Sequence, residues 1–244
     1  MKTLKLILIL ATTGILVQSC TKGGGIWAIQ GEGSTITETR TAKDFSSISL
    51  NCEGDIQYVQ DSVYLVQISA QKNILAVMET KVVENELRIS FRREVRRHNE
   101  IKIIVHSPYM NGLSINGSGN INAQGTIQTQ NIGLYISGSG NIIIPTLNST
   151  YVDSKISGSG NINIKGGVGS RVSFLISGSG SVNSFNSTMV CKDATVKISG
   201  SGDVTINATD NLDVNITGSG NVRYKGNPVI RIEDSGSGKL IHVN

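Results

Sequence analysis

The sequence predicts an all-β chain that folds as a right-handed parallel β-helix, a solenoid with coils of roughly 20 residues. Three observations predict it. The tripeptide Gly-Ser-Gly recurs seven times in the second half of the chain, in steps of 21, 20, 20, 22, 18 and 18 residues. An Ile stands two residues before six of the seven tripeptides, and an aliphatic residue follows each one at a fixed distance. A flexible Gly/Ser linker has no such period.

Each repeat is predicted to form two short strands joined by a sharp corner, with alternate residues on one face. The aliphatic residues would fill the coil interior, where neighbouring coils cover one another's apolar faces. We expect the corner glycines to adopt the positive φ angles that a tight corner requires. These structural glycines are Gly117, Gly119, Gly138, Gly140, Gly158, Gly160, Gly178, Gly180, Gly200, Gly202, Gly218, Gly220, Gly236 and Gly238.

The residue directly after each corner is polar in every repeat, and four of the seven are Asn. These residues are Asn120, Asn141, Asn161, Ser181, Asp203, Asn221 and Lys239. Because they occupy one position of successive coils, we expect their side chains to form a hydrogen-bonded ladder along the solenoid axis.

The first half of the chain carries a weaker form of the same pattern. Cys52-Glu53-Gly54 replaces the tripeptide between two short apolar runs, so the solenoid is predicted to begin there. Residues 44–112 would form irregular coils with a basic hairpin loop, and residues 113–244 would form the regular repeat. The longest segment with a helical period is only Asn73 to Val83, which favours an all-β fold.

The N-terminus resembles a bacterial lipoprotein signal. Lys2 and Lys5 precede an apolar run that is too short to span a bilayer, and the run ends in Leu16-Val17-Gln18-Ser19-Cys20. The signal peptide would comprise residues 1–19, Cys20 would be acylated, for example with palmitate, and residues 20–43 would form a tether. The alternative is an ordinary secretory signal followed by an unrelated Cys.

Two further cysteines, Cys52 and Cys191, fall in well-separated repeats. They would pair only if the coils brought them together, so two half-buried thiols are the favoured interpretation over a disulfide. No spacing typical of a metal site is present, and no cofactor is expected.

Positive charge is concentrated between Arg88 and Lys102, where six basic and two acidic residues give 6 − 2 = +4, equal to the net charge of the whole chain. One interpretation is an anion-binding or glycan-binding tip, with Arg92, Arg93, Arg96 and Arg97 as candidate contacts. The favoured alternative is a solvated loop. An exported chain with few aromatic residues and no nucleic-acid motif is not expected to bind nucleic acid.

The sequence predicts no catalytic residue and no enzyme. His98, His106 and His242 have no clustered carboxylate partners, and the corner serines are repeated structural residues. The carboxylates that a β-helix hydrolase or lyase would place on one face are scattered along the chain. They are Asp153, Asp193, Asp203, Asp210, Asp213 and Asp234.

Several segments together resemble the autotransporter adhesin head GIN domain family found in Bacteroidetes lipoproteins. They are Asp44-Phe45-Ser-Ser-Ile48, Gly54-Asp55-Ile56, Val66-Gln-Ile68, Asn73-Ile-Leu75, Glu86-Leu87-Arg-Ile89 and the Ile-Ser-Gly-Ser-Gly-Asn-Ile series. The resemblance covers Phe45 to Asn244 and implies a right-handed β-helix and a role in adhesion, with no catalytic residues.

These observations predict a non-enzymatic lipoprotein of a Gram-negative outer membrane, facing the cell surface or the periplasm, that acts in adhesion or ligand binding. The expected partners are the membrane, through the lipid, and a glycan or a host or cell-surface ligand; a homo-oligomer is a further expectation. The alternatives are a degenerate or unrecognised carbohydrate-active β-helix protein and a periplasmic factor in envelope stress or assembly.

Overall fold

The computed structural model describes residues 28–184 and 189–243, and it confirms the all-β prediction: the chain forms a β-solenoid of about six turns. In chain order its elements are β1 Ile29–Gln30, β2 Thr35–Arg40, β3 Ser47–Leu50, β4 Asp55–Gln60, β5 Leu65–Gln71, α1 Lys72–Leu75, β6 Met78–Val83, β7 Glu86–Phe91, β8 Val95–Arg96, β9 Lys102–Ser107, β10 Gly112–Ile115, β11 Asn120–Gln124, β12 Thr126–Ile136, β13 Ile142–Ile144, β14 Thr146–Ile156, β15 Ile162–Ile164, β16 Gly167–Ile176, β17 Val182–Asn183, β18 Val190–Ile198, β19 Val204–Ile216, β20 Val222–Lys225, β21 Val229–Asp234 and β22 Leu240–His242.

Each coil of the solenoid contributes one strand to each of two sheets, in which the strands are parallel. The strands that lead into the corners form the long-strand sheet, with β10, β12, β14, β16, β18, the second part of β19 and β21 in order. The strands that leave the corners form the short-strand sheet, with β11, β13, β15, β17, the first part of β19, β20 and β22. Equivalent repeat positions pair in register, as Ile136 does with Ile156.

The Gly-Ser-Gly corners bring backbone atoms of successive coils into contact. The Ser159 N–H donates to the Gly138 carbonyl of the preceding coil at 3.0 Å. A Cβ on Gly158 or Gly160 would collide with the carbonyl oxygen of the equivalent glycine in that coil. The expectation of positive φ is wrong for the fourteen glycines of the Gly-Ser-Gly corners, none of which has a φ in the left-handed region; Gly54, at the irregular Cys52 corner, has a φ of 145°. Close approach between coils, and not turn conformation, excludes side chains here.

The predicted side-chain ladder is confirmed along the row of residues that follow the corners. Asn141 Nδ2 donates to Asn120 Oδ1 at 3.0 Å, and Asn161 Nδ2 donates to Asn141 Oδ1 at 3.0 Å. The same oxygens also accept backbone N–H groups from the next coil, and this pattern continues as far as Lys239. In the other direction, Asn120 Nδ2 donates to Asp55, which extends the ladder to the irregular corner.

Coil order in the first half of the chain differs from chain order. Strands β3 and β4 pair with β10 and β11 on one side and with β7 and β9 on the other. The stack therefore does not begin at the Cys52 corner, as the sequence predicted, but one coil further out, at β7 and β9. No complete Gly-Ser-Gly corner lies beneath Cys52 and Glu53, because the chain leaves the stack between these two strands. This explains why side chains are tolerated at that corner alone.

The outermost coil is covered by a cap of antiparallel strands. β2 pairs with β5, β5 pairs with β9, and β6 pairs with β7 through a hairpin turn at Glu84 and Asn85, whose φ angles are both positive. α1 and the start of β6 bury Ile74, Leu75 and Met78 against this end. Because β1 and β2 belong to this folded region, the predicted tether over residues 20–43 is wrong from Ile29 onward.

The core is one continuous column of inward-facing aliphatic side chains that runs through all coils. Cys52 and Cys191 are free, as the favoured interpretation predicted, but they are fully buried within this core and not half-buried. Burial, reinforced by nearby Glu53 for one and Asp193 for the other, raises the pKa of both thiols to about 12. Both therefore remain protonated at neutral pH and poorly reactive.

Candidate functional site: the outer face of the long-strand sheet

The predicted lipid-attachment residue, Cys20, lies outside the residues that the structure describes. The predicted basic tip lies on the segment between β7 and β9. This segment is not the hairpin loop that the sequence suggested, since its flanking strands belong to different sheets. It carries β8, which pairs in parallel with β1 at the capped end.

Most of the basic residues of this tip are engaged with nearby groups. Arg96 forms an ion pair with Glu94 at 2.7 Å, and Lys102 forms one with Glu100 at 3.3 Å. Arg92 Nη2 donates to the carbonyl of Ala76 at 2.7 Å. Arg88 pairs with Glu86 in the same way, each acid standing two residues before its base. The structure thus brings Arg92, Arg93, Arg96 and Arg97 onto one segment, but it balances much of the local charge.

A different surface combines exposed aromatic rings with polar groups. It is the outward face of β12, β14, β16, β18, β19 and β21, here called the long-strand face. Three columns of side chains run along it, at five, three and one residues before the last residue of each strand. The columns are Asn131, Tyr151, Arg171, Asp193, Asn211 and Val229; Gly133, Asp153, Ser173, Thr195, Asp213 and Arg231; and Tyr135, Lys155, Leu175, Lys197, Asn215 and Glu233.

Two tyrosines form the aromatic part of this face. Tyr135 and Tyr151 are 40% and 46% exposed, which is high for such large side chains. The Tyr135 ring lies across Gly133, where a Cβ would collide with it, and its hydroxyl donates to Asp153 Oδ2 at 3.1 Å. The Arg171 guanidinium lies 5.2 Å from the centre of the Tyr151 ring, a cation–π contact. Both rings are therefore held in place before any ligand binds.

Burial is the main cause that raises the pKa of Tyr135, and the charge of Asp153 and the hydrogen bond to it add to the effect. The phenol consequently stays protonated at neutral pH and can donate a hydrogen bond. At present its donor is directed to Asp153, whose second oxygen is available to accept from a ligand.

Three shallow clefts lie on this face, with volumes of about 380, 420 and 270 Å³. The first lies over β12, β14 and β16, and the other two lie side by side over β18, β19 and β21. The first and second share Arg171, and the second and third share Thr195, Asp213 and Arg231, so the three adjoin one another and are here called the groove. At roughly 4.8 Å per strand, the six strands from β12 to β21 span about 24 Å.

The charges on the long-strand face are balanced, and several of them are hydrogen-bonded to neighbouring side chains. Asn211 Nδ2 donates to Asp193 at 2.7 Å, and Asn215 Nδ2 donates to Glu233 at 2.9 Å. Arg231 Nε lies 3.9 Å from Asp213 Oδ1. Four cationic and four acidic residues give 4 − 4 = 0, and they are Lys155, Arg171, Lys197 and Arg231 with Asp153, Asp193, Asp213 and Glu233. The groove is therefore polar without a net charge.

The carboxylates that looked scattered in the sequence are partly gathered by the fold. Asp153, Asp193 and Asp213 lie on this one face, whereas Asp203 belongs to the corner ladder, where it accepts from Asn221 and Arg223. Within residues 28–184 and 189–243, no group of three or more His, Cys, Asp or Glu side chains is arranged to hold a metal ion.

The sequence analysis did not predict the groove, because it used the residues that are repeated between coils, and the groove is lined by residues that are not. The pattern that indicates the groove is nevertheless present in the sequence. Aligning the repeats on the strand end places Tyr151, Arg171 and Asp193 at one offset, and Tyr135 and Lys155 at another. Successive repeats differ at these positions, because the outward-facing positions of a strand are free to differ.

Comparisons with known proteins agree with this architecture. A crystal structure of a putative adhesin from Bacteroides fragilis has a TM-score of 0.83 and 28% sequence identity, covering 88% of this chain and all of the other. A structure described as a putative lipid binding protein from Parabacteroides distasonis has a TM-score of 0.74 and 25% identity, covering 89% and 100%. A putative adhesin from Parabacteroides merdae has a TM-score of 0.72 and 23% identity, covering 89% and 99%.

No curated protein matches the chain in sequence. The family described as "Putative auto-transporter adhesin, head GIN domain" matches residues 44–228, which is most of the chain and includes nearly all of the groove. The expected resemblance is thereby confirmed, and the chain belongs to this family.

Proposed function

We propose that this protein is a non-enzymatic, lipid-anchored adhesion module of the outer membrane that holds an uncharged or zwitterionic glycan along the groove of the long-strand face. The observation that carries the proposal is the pair of exposed, pre-positioned rings of Tyr135 and Tyr151 at one end of a polar groove. Membership in an adhesin family supports a ligand-binding role.

The chemistry of the groove suits a sugar chain. A pyranose ring presents a C–H face that packs on an aromatic ring, and hydroxyl groups at its rim that need both donors and acceptors. The two tyrosine rings provide aromatic surfaces for the C–H face. The alternating amide, carboxylate and guanidinium groups along the columns provide donors and acceptors for the hydroxyl groups. Because the charges of the face cancel, a polyanion such as a uronate polymer gains no net attraction there.

Binding without turnover is favoured by how the acids are held. Asp153 accepts from Tyr135, Asp193 accepts from Asn211, and Asp213 lies beside Arg231. Each of the three acids is thereby already engaged by a donor or a cation of the protein itself, which favours a positioning role over proton transfer to a substrate.

A degenerate or unrecognised carbohydrate-active enzyme remains the second candidate. The observation that favours it is the placement of Asp153, Asp193 and Asp213 on one face of a β-solenoid. Cleavage of any oligosaccharide that binds, detected by chromatography and abolished by Asp193→Asn or Asp213→Asn, would establish it and overturn the non-enzymatic proposal.

The glycan proposal is tested with an array of neutral, zwitterionic and acidic oligosaccharides, followed by titration calorimetry on the best neutral probe. Removing a stacked ring by Tyr151→Ala or Tyr135→Ala is expected to weaken binding about tenfold each. The matched control is Tyr109→Ala, which removes a 68% exposed tyrosine that does not line the groove.

The dependence of ligand binding on salt concentration distinguishes a site in the groove from a site at the basic tip. Binding in the groove is expected to change little between low and physiological ionic strength, since no net charge is involved. The variant in which Arg92, Arg93, Arg96 and Arg97 are all changed to Ala should bind normally. Steeply salt-dependent binding that this variant loses, and that both tyrosine variants keep, would move the site to the tip.

Anchoring rests on the Leu16 to Cys20 motif. The proposed attachment through a lipid is based on this motif alone. Separately, the described part of the chain contains no helix long and apolar enough to cross a membrane. Cys20→Ala should release the protein from the membrane fraction and abolish fatty-acid labelling. An exported wild-type protein that takes up no fatty acid would contradict the lipoprotein proposal, and protease treatment of intact cells would then decide between the surface and the periplasm.

A further inference from the structure

The C-terminal end of the stack exposes two positions that are core residues in the coils from β12 to β19. Leu212 and Val214 on β19 face inward and are 0% and 3% exposed. Their register partners on β21, Ile230 and Ile232, are 39% and 46% exposed. No further strand covers them within the part of the chain that the structure describes.

This exposure is a property of one end only. At the opposite end, α1 and the strands of the cap bury Ile74, Leu75 and Met78 to 2% exposure or less. A head-to-tail stack of molecules is therefore blocked by the cap. Two molecules can still associate through their C-terminal ends. Because such an interface uses the same surface of both molecules, the assembly stops at a dimer.

β21 is a regular edge strand, and its outer backbone groups have no partner strand among the described residues. Its register with β19 runs without a bulge from Asn211 opposite Val229 to Ile216 opposite Asp234. Three of its six residues are charged, Arg231, Glu233 and the core-facing Asp234, so the strand accepts only a partner that complements these charges. Such an edge is a template for pairing with another strand.

We propose that two copies of this chain associate end to end through antiparallel pairing of their β21 strands, with Ile232 on the two-fold axis. Ile232 would then pack against Ile232 of the second copy on the core side. On the outer face, Arg231 would lie opposite Glu233 of the second copy on both sides of the axis. Ile230 and Asp234 would face each other near the strand ends.

Charge selects this register. A shift of two residues in one direction places Arg231 opposite Arg231, and a shift in the other direction places Glu233 opposite Glu233. Like charges directly opposite on an antiparallel pair are destabilising. Shifts by one residue are excluded because they would turn the apolar side chains to opposite faces.

The same geometry joins the grooves of the two copies. Arg231 and Glu233 line the last cleft of the long-strand face. A two-fold axis perpendicular to this sheet keeps both long-strand faces on one side of the dimer, so a single polar surface would run across it. The dimer itself does not depend on the glycan proposal.

The oligomeric state of the purified chain tests the inference, by sedimentation velocity at concentrations up to about 0.5 mM. The wild type is expected to reach twice the monomer mass. Ile232→Lys places like charges on the axis and should give a monomer. Val229→Lys adds the same charge to an outward, 74% exposed position of the same strand and should leave the dimer intact. Circular dichroism and thermal melts show whether each variant is folded.

A charge exchange gives the decisive result. Arg231→Glu and Glu233→Arg should each weaken association at least tenfold, and the double variant should restore it, because opposite charges again face each other. A wild-type monomer, a dimer that survives Ile232→Lys, or a double variant that fails to recover would overturn the proposal. A monomer that instead co-sediments with phospholipid vesicles, and loses this with Ile232→Lys, would assign the exposed end to a lipid surface.

Discussion

The corners and the long-strand face belong to the same coils, yet their sequences follow opposite rules. At the corners every regular repeat carries Gly-Ser-Gly, because a carbonyl of the neighbouring coil occupies the space that a side chain on either glycine would need. On the long-strand face one column changes from Tyr151 to Arg171 to Asp193 over successive coils. Repetition in this molecule therefore marks the requirements of stacking, and the candidate site lies where repetition stops.

The largest effect is expected at the corner. Gly160→Ala places a Cβ against the Gly140 carbonyl oxygen, a rigid backbone atom that cannot move without separating two coils. We expect a loss of about 3 kcal/mol in the free energy of unfolding, the upper part of the usual range for overpacking. Chemical denaturation measures it, and the neighbouring Ser159→Ala serves as control and should change little. Equal losses in both would contradict the close-approach explanation.

A smaller effect is expected in the ladder beside the corner. Asn141→Ala removes the acceptor for both the backbone N–H and the side-chain amide of Asn161. The expected loss is about 2 kcal/mol, because a half-buried backbone donor is left without its partner. Asn163→Ala is the matched control, since its side chain accepts a single bond from the Asn183 amide. It should cost under about 1 kcal/mol. If the two variants were equally stable, the ladder would have no special role.

The smallest effect on stability is expected on the face. Asp153→Asn should change the free energy of unfolding by less than about 0.5 kcal/mol, as for most surface substitutions. It should nevertheless lower the pKa of Tyr135, because the charge of Asp153 and the bond to it help to raise that pKa. The value should stay above that of an ordinary tyrosine, since burial is the larger cause. Phenolate absorbance, corrected with the Tyr135→Phe protein, follows the titration. An unchanged Tyr135 titration would show that the two groups are not in contact in solution.

The regular half of the fold could be read from the sequence because each coil repeats the same local rules. Ile136 and Ile156, or Asn141 and Asn161, mark equivalent positions, and stacking follows from their offsets. The reason for glycine at the corners was predicted wrongly. A pattern of glycines alone does not distinguish a backbone with positive φ from a backbone that lies too close to its neighbour for a side chain. Only the packing of one coil on the next tells them apart.

The irregular half could not be read in the same way. The pairing of β3 with both β7 and β10 depends on contacts between segments that are far apart in sequence, and no local sequence motif predicts it. The face was equally hidden, because a side chain such as Tyr151 gains meaning only from its neighbours in other coils. The basic run around Arg92 was visible at once, but its pairing with acids and carbonyls was not.

The interleaved coil order also has a consequence for how the chain folds. A regular repeat pairs with the preceding one over a separation of about 20 residues. Ile48 on β3, in contrast, pairs with Leu113 on β10, which lies 113 − 48 = 65 residues later in the chain. The closure of that long loop is the slow entropic step. We therefore expect the first half of the chain to act as the folding nucleus, and the Gly-Ser-Gly coils to assemble from it rapidly, one after another, toward the C-terminus.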